Sequence, residues 1–438
     1  PPAAPAPIDD RVHAYVCLNR LAGSPDPIPE MGLDLLAMAW PWPGLVSAGG
    51  RLFQDITTPI QLSSVSSRLS GILAPYDHEL PTALERLATH PGLRSSSAFR
   101  RWMTALAIGT RLLPALLAAL RVIFLTDPAG RVTERANTSD ANIRIWSERL
   151  EMAEPRSAVA ATIRRMMQDV YPTSEGLWLP MILAAELSAR GLRWLHPGHG
   201  DDVDALLRAL PNNIDAERAL EINDLAESIR SHPSLVRRLK SQPAETLRET
   251  LADVPGGPMF LRGLDDWMAT HGAGGPASID VSRPRYSDDP GGVIALILAA
   301  LDDEPGAARS GHRQRAGEAI KAQERLLGRS GGLRSRLTAR LSQVARLLTA
   351  ARAQPGFYAI RCLALARRQL QIEAERLVQD GQLNTADDIW FATLHEVETG
   401  AVSGAQLTER AERHRQHCSL PAPPVITSDG QGPGVPTE

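Results

Sequence analysis

Cysteine is scarce in this chain: Cys17, Cys362 and Cys418 are the only three in 438 residues. An odd number, this widely spaced, offers no disulfide framework and no zinc spacing, so a reducing cytoplasm is the expected compartment. Excess charge is also missing. The 47 basic and 50 acidic residues leave a net charge of -3, which argues against a globally basic nucleic-acid binder. Long hydrophobic runs are absent as well. Trp102 to Leu125 is interrupted by Arg111, Pro114 and Arg121, and Leu177 to Ala185 runs into Glu186. Neither reaches the roughly 20 apolar residues of a membrane span. The opening PPAAPAPIDD has neither the basic nor the apolar region of a signal peptide. There is no G-x-S-x-G, no H-E-x-x-H and no repeat of fixed period.

Aromatic residues make up only 4 %, while Ala, Leu and Arg dominate. That mix favours helix, because unbranched side chains lose little freedom there. The expected fold class is all-α. Leu333, Leu337, Leu341, Val344 and Leu348 form one helical stripe. Helices are expected from Ser95 to Leu125, over Asn142 to Val170 with a break near Pro155, and from Leu177 to Leu195. Short helices separated by Pro211, Pro233 and Pro243 follow, then a buried helix at Val293 to Leu301. Thr385 with Asp388 reads as a capping box, and Gly400 as a stop. Val12 to Leu21 is strand or helix, and GGRLFQDITTPI reads as a turn plus a short helix. Met31, Met38, Trp40, Trp42, Trp102, Met103, Trp178 and Met181 are core residues, some suited to lining a pocket for a large apolar ligand.

One stretch breaks the helical pattern: His271 to Gly291, HGAGGPASIDVSRPRYSDDPG. Its glycines and prolines exclude helix, Ile279 to Val281 reads as a short extended piece, and its charges exceed what a linker needs. It is expected to be an ordered loop joining two helical lobes, about 9–270 and 291–420, and facing a cleft. A phosphate cradle is disfavoured, since a strand should precede such glycines and a helix follow them directly. His196 with His199, and His414 with His417 and Cys418, have metal-like spacing but no partner set, so both pairs are expected to be solvated. Arg309 to Arg352 is strongly basic. It is either a solvated face or a surface receiving something anionic, and RNA is a weaker fit without interleaved aromatics.

Several motifs resemble, in order, the middle, acceptor-binding region of phosphoenolpyruvate-synthase-like enzymes, above all the rifampicin phosphotransferases. The loop looks like G-H-R-G-P-G-E-I-D-L-S-R-P-R-W. Pro27 to Gly32 is similar to P-x-x-P-L-G, and Gly49 to Thr57 to G-G-R-L-Y-V-D-V-T. Asp387 to Trp390 resembles D-D-I-Y, and Pro424 to Gly430 the linker before a swivelling domain. The loop's His, Arg and Glu are replaced by Ala273, Gly274 and Ser278. In R-E-x-P-K, Arg352 and Pro355 match, while Ala353 and Gly356 depart.

The resemblance implies a helical substrate-binding domain over 9–420, with linkers at 1–8 and 421–438. The second linker would lead to an absent phospho-His domain, and ATP and Mg would belong to an absent ATP-grasp domain, with no cofactor or metal held here. It further implies phosphoryl transfer to a hydroxyl of a large apolar substrate, with no catalytic residue in this segment. Arg352, Arg283 and Arg285 are then candidates for charge compensation or domain docking. Asp280 would orient one of those arginines or cap the loop. Asn19, Met31, Met38 and Arg51 are candidates for the pocket wall. The partners implied are the apolar small molecule and the other domains of the parent chain; no membrane is expected, and nucleic acid is disfavoured by the near-neutral charge. Two alternatives stay open: a degenerate helical module docking an anionic partner through its basic face, or a condensing enzyme of secondary metabolism.

Overall fold

The computed structural model describes residues 11–61, 77–93, 113–242 and 246–430. The fold is mostly α-helical, as the composition predicts. The expected linker at 1–8, Trp102, Met103 and the start of the Ser95–Leu125 helix lie outside the described residues.

A small antiparallel sheet anchors one end. It is built from β1 (Ala14–Cys17), β2 (Leu45–Ala48), β3 (Arg51–Asp55) and β4 (Val425–Thr427), in the order β2-β3-β1-β4. Val16 pairs with both Gln54 and Val425. Ala14 and Val16 face one apolar cluster while Tyr15 and Cys17 face another, as the two-residue side-chain period requires. The mixed reading of Val12 to Leu21 resolves into β1 followed directly by α1 (Leu18–Leu21). The expected turn plus helix at 49–60 is instead a hairpin strand, β3, leading into the short helix α3 (Thr57–Gln61). Gly49 and Gly50, at φ 56° and 70°, make the tight two-residue turn that such a hairpin favours. Residues 425–427, expected as linker, form the buried strand β4.

The helices are α2 (Glu30–Ala39), α4 (Leu80–Thr89), α5 (residues 113–125), α6 (Pro128–Glu151), α7 (Arg156–Tyr171), α8 (Leu177–Leu195) and α9 (Gly200–Leu206). Then come α10 (Ile214–Arg230), α11 (Pro233–Ser241), α12 (Leu247–Leu251), α13 (Gly257–His271) and α14 (Gly291–Ala300). The last are α15 (Ala307–Gly328), α16 (Gly332–Ala350), α17 (Gln354–Gln379), α18 (Leu394–Thr399) and α19 (Gly404–Cys418). Helix α6 starts at Pro128 rather than near Asn142, because Asp127 caps it through the amides of Ala129 and Gly130. The expected helix from Thr385 is divided. Thr385 and Asp388 form a capping box over a short turn, and Thr393 and Glu396 form a second one over α18, which Gly400 ends at φ 70°.

Three apolar cores hold most of these helices, while α3 and α4 pack against the sheet. The largest joins α2, α6, α7, α17 and α18 through Leu35, Trp146, Met167, Leu363 and Leu394. The second joins α5, α8, α9 and α16 through Trp178, Leu192, Leu341 and Leu348. The third gathers α10 to α14 around Leu225, Phe260 and Val293. The first two cores draw on residues from both sides of the loop at 271–290, so the boundary there is one of chain order rather than of packing. Within α14, Val293, Ile294 and Ile297 are buried, but Leu296 is exposed.

Candidate functional site

The loop at 271–290 is tied down by its own backbone. Tyr286 donates to Gly274 at 2.8 Å and Ser287 to Gly272 at 3.0 Å, closing its two arms on each other. The tip is a set of turns, not the extended piece expected at Ile279 to Val281. Ala277 takes φ 56°, and the Asp280 amide donates to Ala277 O at 2.9 Å. Gly275 is needed for close approach: a Cβ there would lie 2.8 Å from Pro284 O. Arg367 of α17 fastens the loop from outside. It pairs with Asp288 at 2.7 Å, donates to the carbonyls of Val281 and Ser282 at 2.8 and 2.9 Å, and stacks on Trp390.

Asp280 and Arg285 lie inside this loop. The Asp280 carboxylate accepts from Ser282 N at 2.9 Å and Ser282 Oγ at 2.7 Å. Burial nevertheless raises its pKa, with those two bonds opposing. Arg285 donates from Nη1 to Ser278 O at 2.5 Å, while its Nε and Nη2 are buried without a hydrogen-bond partner. Burial and the neighbouring Arg367 bring its pKa down to about 10, against Asp280 and Asp288. Arg283 is half-exposed and reaches Asp26 at 3.3 Å.

A cavity of about 560 Å³ opens beside the loop. Leu18 and Leu21 of α1, Leu36 and Trp40 of α2, Trp42, Leu45 of β2 and Leu52 of β3 line it, together with Ile279, Gly356, Asn19 and Arg352. Its volume is that of a small-molecule site, and its wall is mostly apolar. Asn19 is locked at both ends, donating to Asp26 O and accepting from Leu52 N, each at 2.9 Å. Arg352 reaches Glu186 at 3.6 Å. Both partners are well exposed, so this contact is weak.

The sequence candidates therefore separate. Asn19 and Arg352 stand in the cavity wall. Met31 is fully buried in the largest core and Met38 packs against it; neither is among the lining residues. Arg51 is a buried strut, donating to the carbonyls of Pro25, Gly49 and Leu420. Leu36, Leu45, Leu52 and Ile279 were not singled out, since an apolar wall residue looks like any core residue. Trp40 and Trp42 were, as bulky adaptable side chains.

The basic run is largely engaged within the protein. Arg309 pairs with Asp224, and Arg325 and Arg329 with Asp202. Arg334, Arg340 and Arg346 donate to carbonyls at the ends of α8, α5 and α9, where helices leave acceptors unpaired. His196, expected to be solvated, is buried with Nε2 2.9 Å from Thr338 Oγ1. Among the described residues no group of three metal-ligating side chains is placed to hold a metal, and no helix is long and apolar enough to cross a membrane.

Comparison with known proteins agrees with the order of motifs. A family profile described as the rifampicin phosphotransferase fourth domain matches residues 176–354. That match includes the loop and Arg352 but not α2 or the sheet. Curated rifampicin phosphotransferases are similar over a longer span. The protein from Streptomyces sviceus is 27% identical over 456 residues, covering 98% of this chain and 49% of that protein. The one from Bacillus subtilis is 25% identical over 449 residues, covering 98% of this chain and 50% of its own length. The one from Bacillus cereus is 28% identical over 249 residues, covering 55% of this chain and 28% of its own. The chain thus spans about half the length of the curated relatives it matches. Likeness to these proteins runs nearly from end to end, and in sequence the chain is rifampicin phosphotransferase-like.

Proposed function

We propose that this chain is the acceptor-binding part of an ATP-dependent, dikinase-type phosphotransferase. The observation that carries this reading is the apolar cavity, whose wall includes both Ile279 of the loop and Arg352. Leucines and two tryptophans give a large apolar guest its contact area. Arg352 is the one wall residue that combines a permanent charge with a weak internal partner. It is suited to offset charge on an incoming phosphoryl group, since phosphoryl transfer depends on positioning and cationic stabilisation. ATP and magnesium would act in a part of the parent enzyme outside these residues. A phosphorylated histidine on a mobile domain would bring the group to the cavity, and a hydroxyl of the bound guest would accept it. Arg283, half-exposed on the loop, is the candidate contact for that domain. The names of the relatives make a rifamycin the first acceptor to try.

The test is thermal unfolding with and without a rifamycin. Binding to the folded state alone stabilises it by about 2.7 kcal/mol at a hundredfold excess over Kd. The chain should melt higher with ligand, Trp42→Ala should lose most of that gain, and neither should consume ATP. An equal gain in chain and variant, or no gain across large apolar alcohols, would overturn the proposal.

A further inference from the structure

Helix α2 borders a second, smaller hollow. It has a volume of about 210 Å³ and lies between the Gly49–Gly50 turn and α19. Arg410, Arg413, His414 and His417 enter it from α19. Their spacing of three, one and three residues places them on one helical face. Among the described residues, Glu30 is the only acid in the lining. Arg410 is engaged with Glu396 and Phe391 O, whereas Arg413 meets only its exposed helix neighbour Glu409. The ring nitrogens of His414 and His417 make no hydrogen bond among the described residues, although the His414 ring packs edge-on against Phe391. Glycine is required opposite them. Gly50 has φ 70°, and a Cβ there would lie 2.7 Å from Pro27 Cβ and 3.3 Å from His417 Nδ1. The first turn of α2 also borders the hollow, and its N-cap, Pro29, has no side-chain acceptor for the helix amides. Burial is the main cause holding both imidazoles below their ordinary pKa. Asp280 acts against this on His414 and Glu30 on His417, while the Arg51 charge adds to the lowering on each.

We infer that this hollow binds a small phosphate-type oxyanion, held by Arg413, His414 and His417 against the glycine turn. It is small enough for one phosphate group and too small for the guest of the apolar cavity. Charge-assisted donors on one face suit an acceptor-only ligand, and Glu30 sets a limit on its affinity.

Isothermal titration with inorganic phosphate tests the inference, with phenyl phosphate as the esterified counterpart. Arg413→Ala and His417→Ala should each weaken binding about tenfold, the loss of one charge-assisted bond, while Glu30→Gln should tighten it. Arg413 and Glu30 are accessible enough for those variants to fold, which their melting temperatures check. Binding of inorganic phosphate with this pattern identifies a free anion. The same pattern with phenyl phosphate alone identifies a phosphoryl group carried on a larger molecule. No binding of either, or binding that all three variants leave unchanged, overturns the inference. Neither titration uses the acceptor cavity, so failure here leaves the proposed function standing, and the reverse.

Discussion

The two hollows beside α2 are opposites. At its C-terminal end, Leu36 and Trp40 face the larger cavity, where the polar wall residue Asn19 is bonded at both ends. At its N-terminal end, Glu30 and Leu33 face the smaller one, where two imidazoles make no ring hydrogen bond among the described residues. One helix thus separates a surface that asks a guest for apolar area from one that asks for negative charge. The loop touches both regions: Ile279 is in the first wall, and Asp280 and Arg283 act electrostatically on His414.

That shared loop is where the contrast breaks most easily. Arg367→Ala removes an ion pair, two carbonyl partners and a ring contact from a buried position. Stability should fall by about 3–5 kcal/mol, and a urea unfolding curve measures it; a loss under 1 kcal/mol would show that the loop holds itself. Gly275→Ala drives a methyl against the Pro284 carbonyl and should cost about 1–3 kcal/mol, with weaker guest binding in the larger cavity as the loop shifts. An unchanged melting temperature would show that the loop yields freely.

A smaller effect depends on pH. Burial raises the Asp280 pKa, so its neutral form suits the folded chain better. Its contribution is therefore complete below an unfolded value of about 4 and is lost as pH rises through the higher folded value. Asp280→Asn can keep the acceptor oxygen for Ser282 while removing the charge. Its stability relative to the parent should climb from pH 4 to pH 7; a flat or falling difference would mean that Arg283 and Arg285 outweigh burial. Smallest of all is Glu186→Gln, which frees Arg352 from an exposed pair. It should change stability by less than about 0.5 kcal/mol, and calorimetry showing more would mean that Arg352 is fixed rather than available.

Much of the helical framework was legible because its punctuation is local. Pro155 separates α6 from α7, Asp388 answers Thr385, and Gly400 stops α18, each within a few residues. The sheet was not legible, because β1 finds its partner β4 roughly 400 residues later and no local pattern encodes that pairing. The Gly49–Gly50 pair is the available signal for the hairpin, but it marks the turn and not the strands on either side. Charged residues misled for a different reason. Arg51, Arg285 and much of the basic run meet backbone carbonyls or internal acids, and sequence does not distinguish an arginine facing a carbonyl from one facing a ligand. Asn19 and Arg352 reached the cavity wall, while its apolar remainder follows the same periodicity as any core.

The antiparallel match of Ala14 with Thr427 places the two strand ends side by side, where Ser428 N donates to His13 O at 2.9 Å and His13 N to Ser428 Oγ at 2.9 Å. Tension applied at both ends would therefore open the β1–β4 ladder like a zip, one rung at a time, instead of loading all its rungs together. In an optical trap the sheet should part at low force, before the helical cores give way.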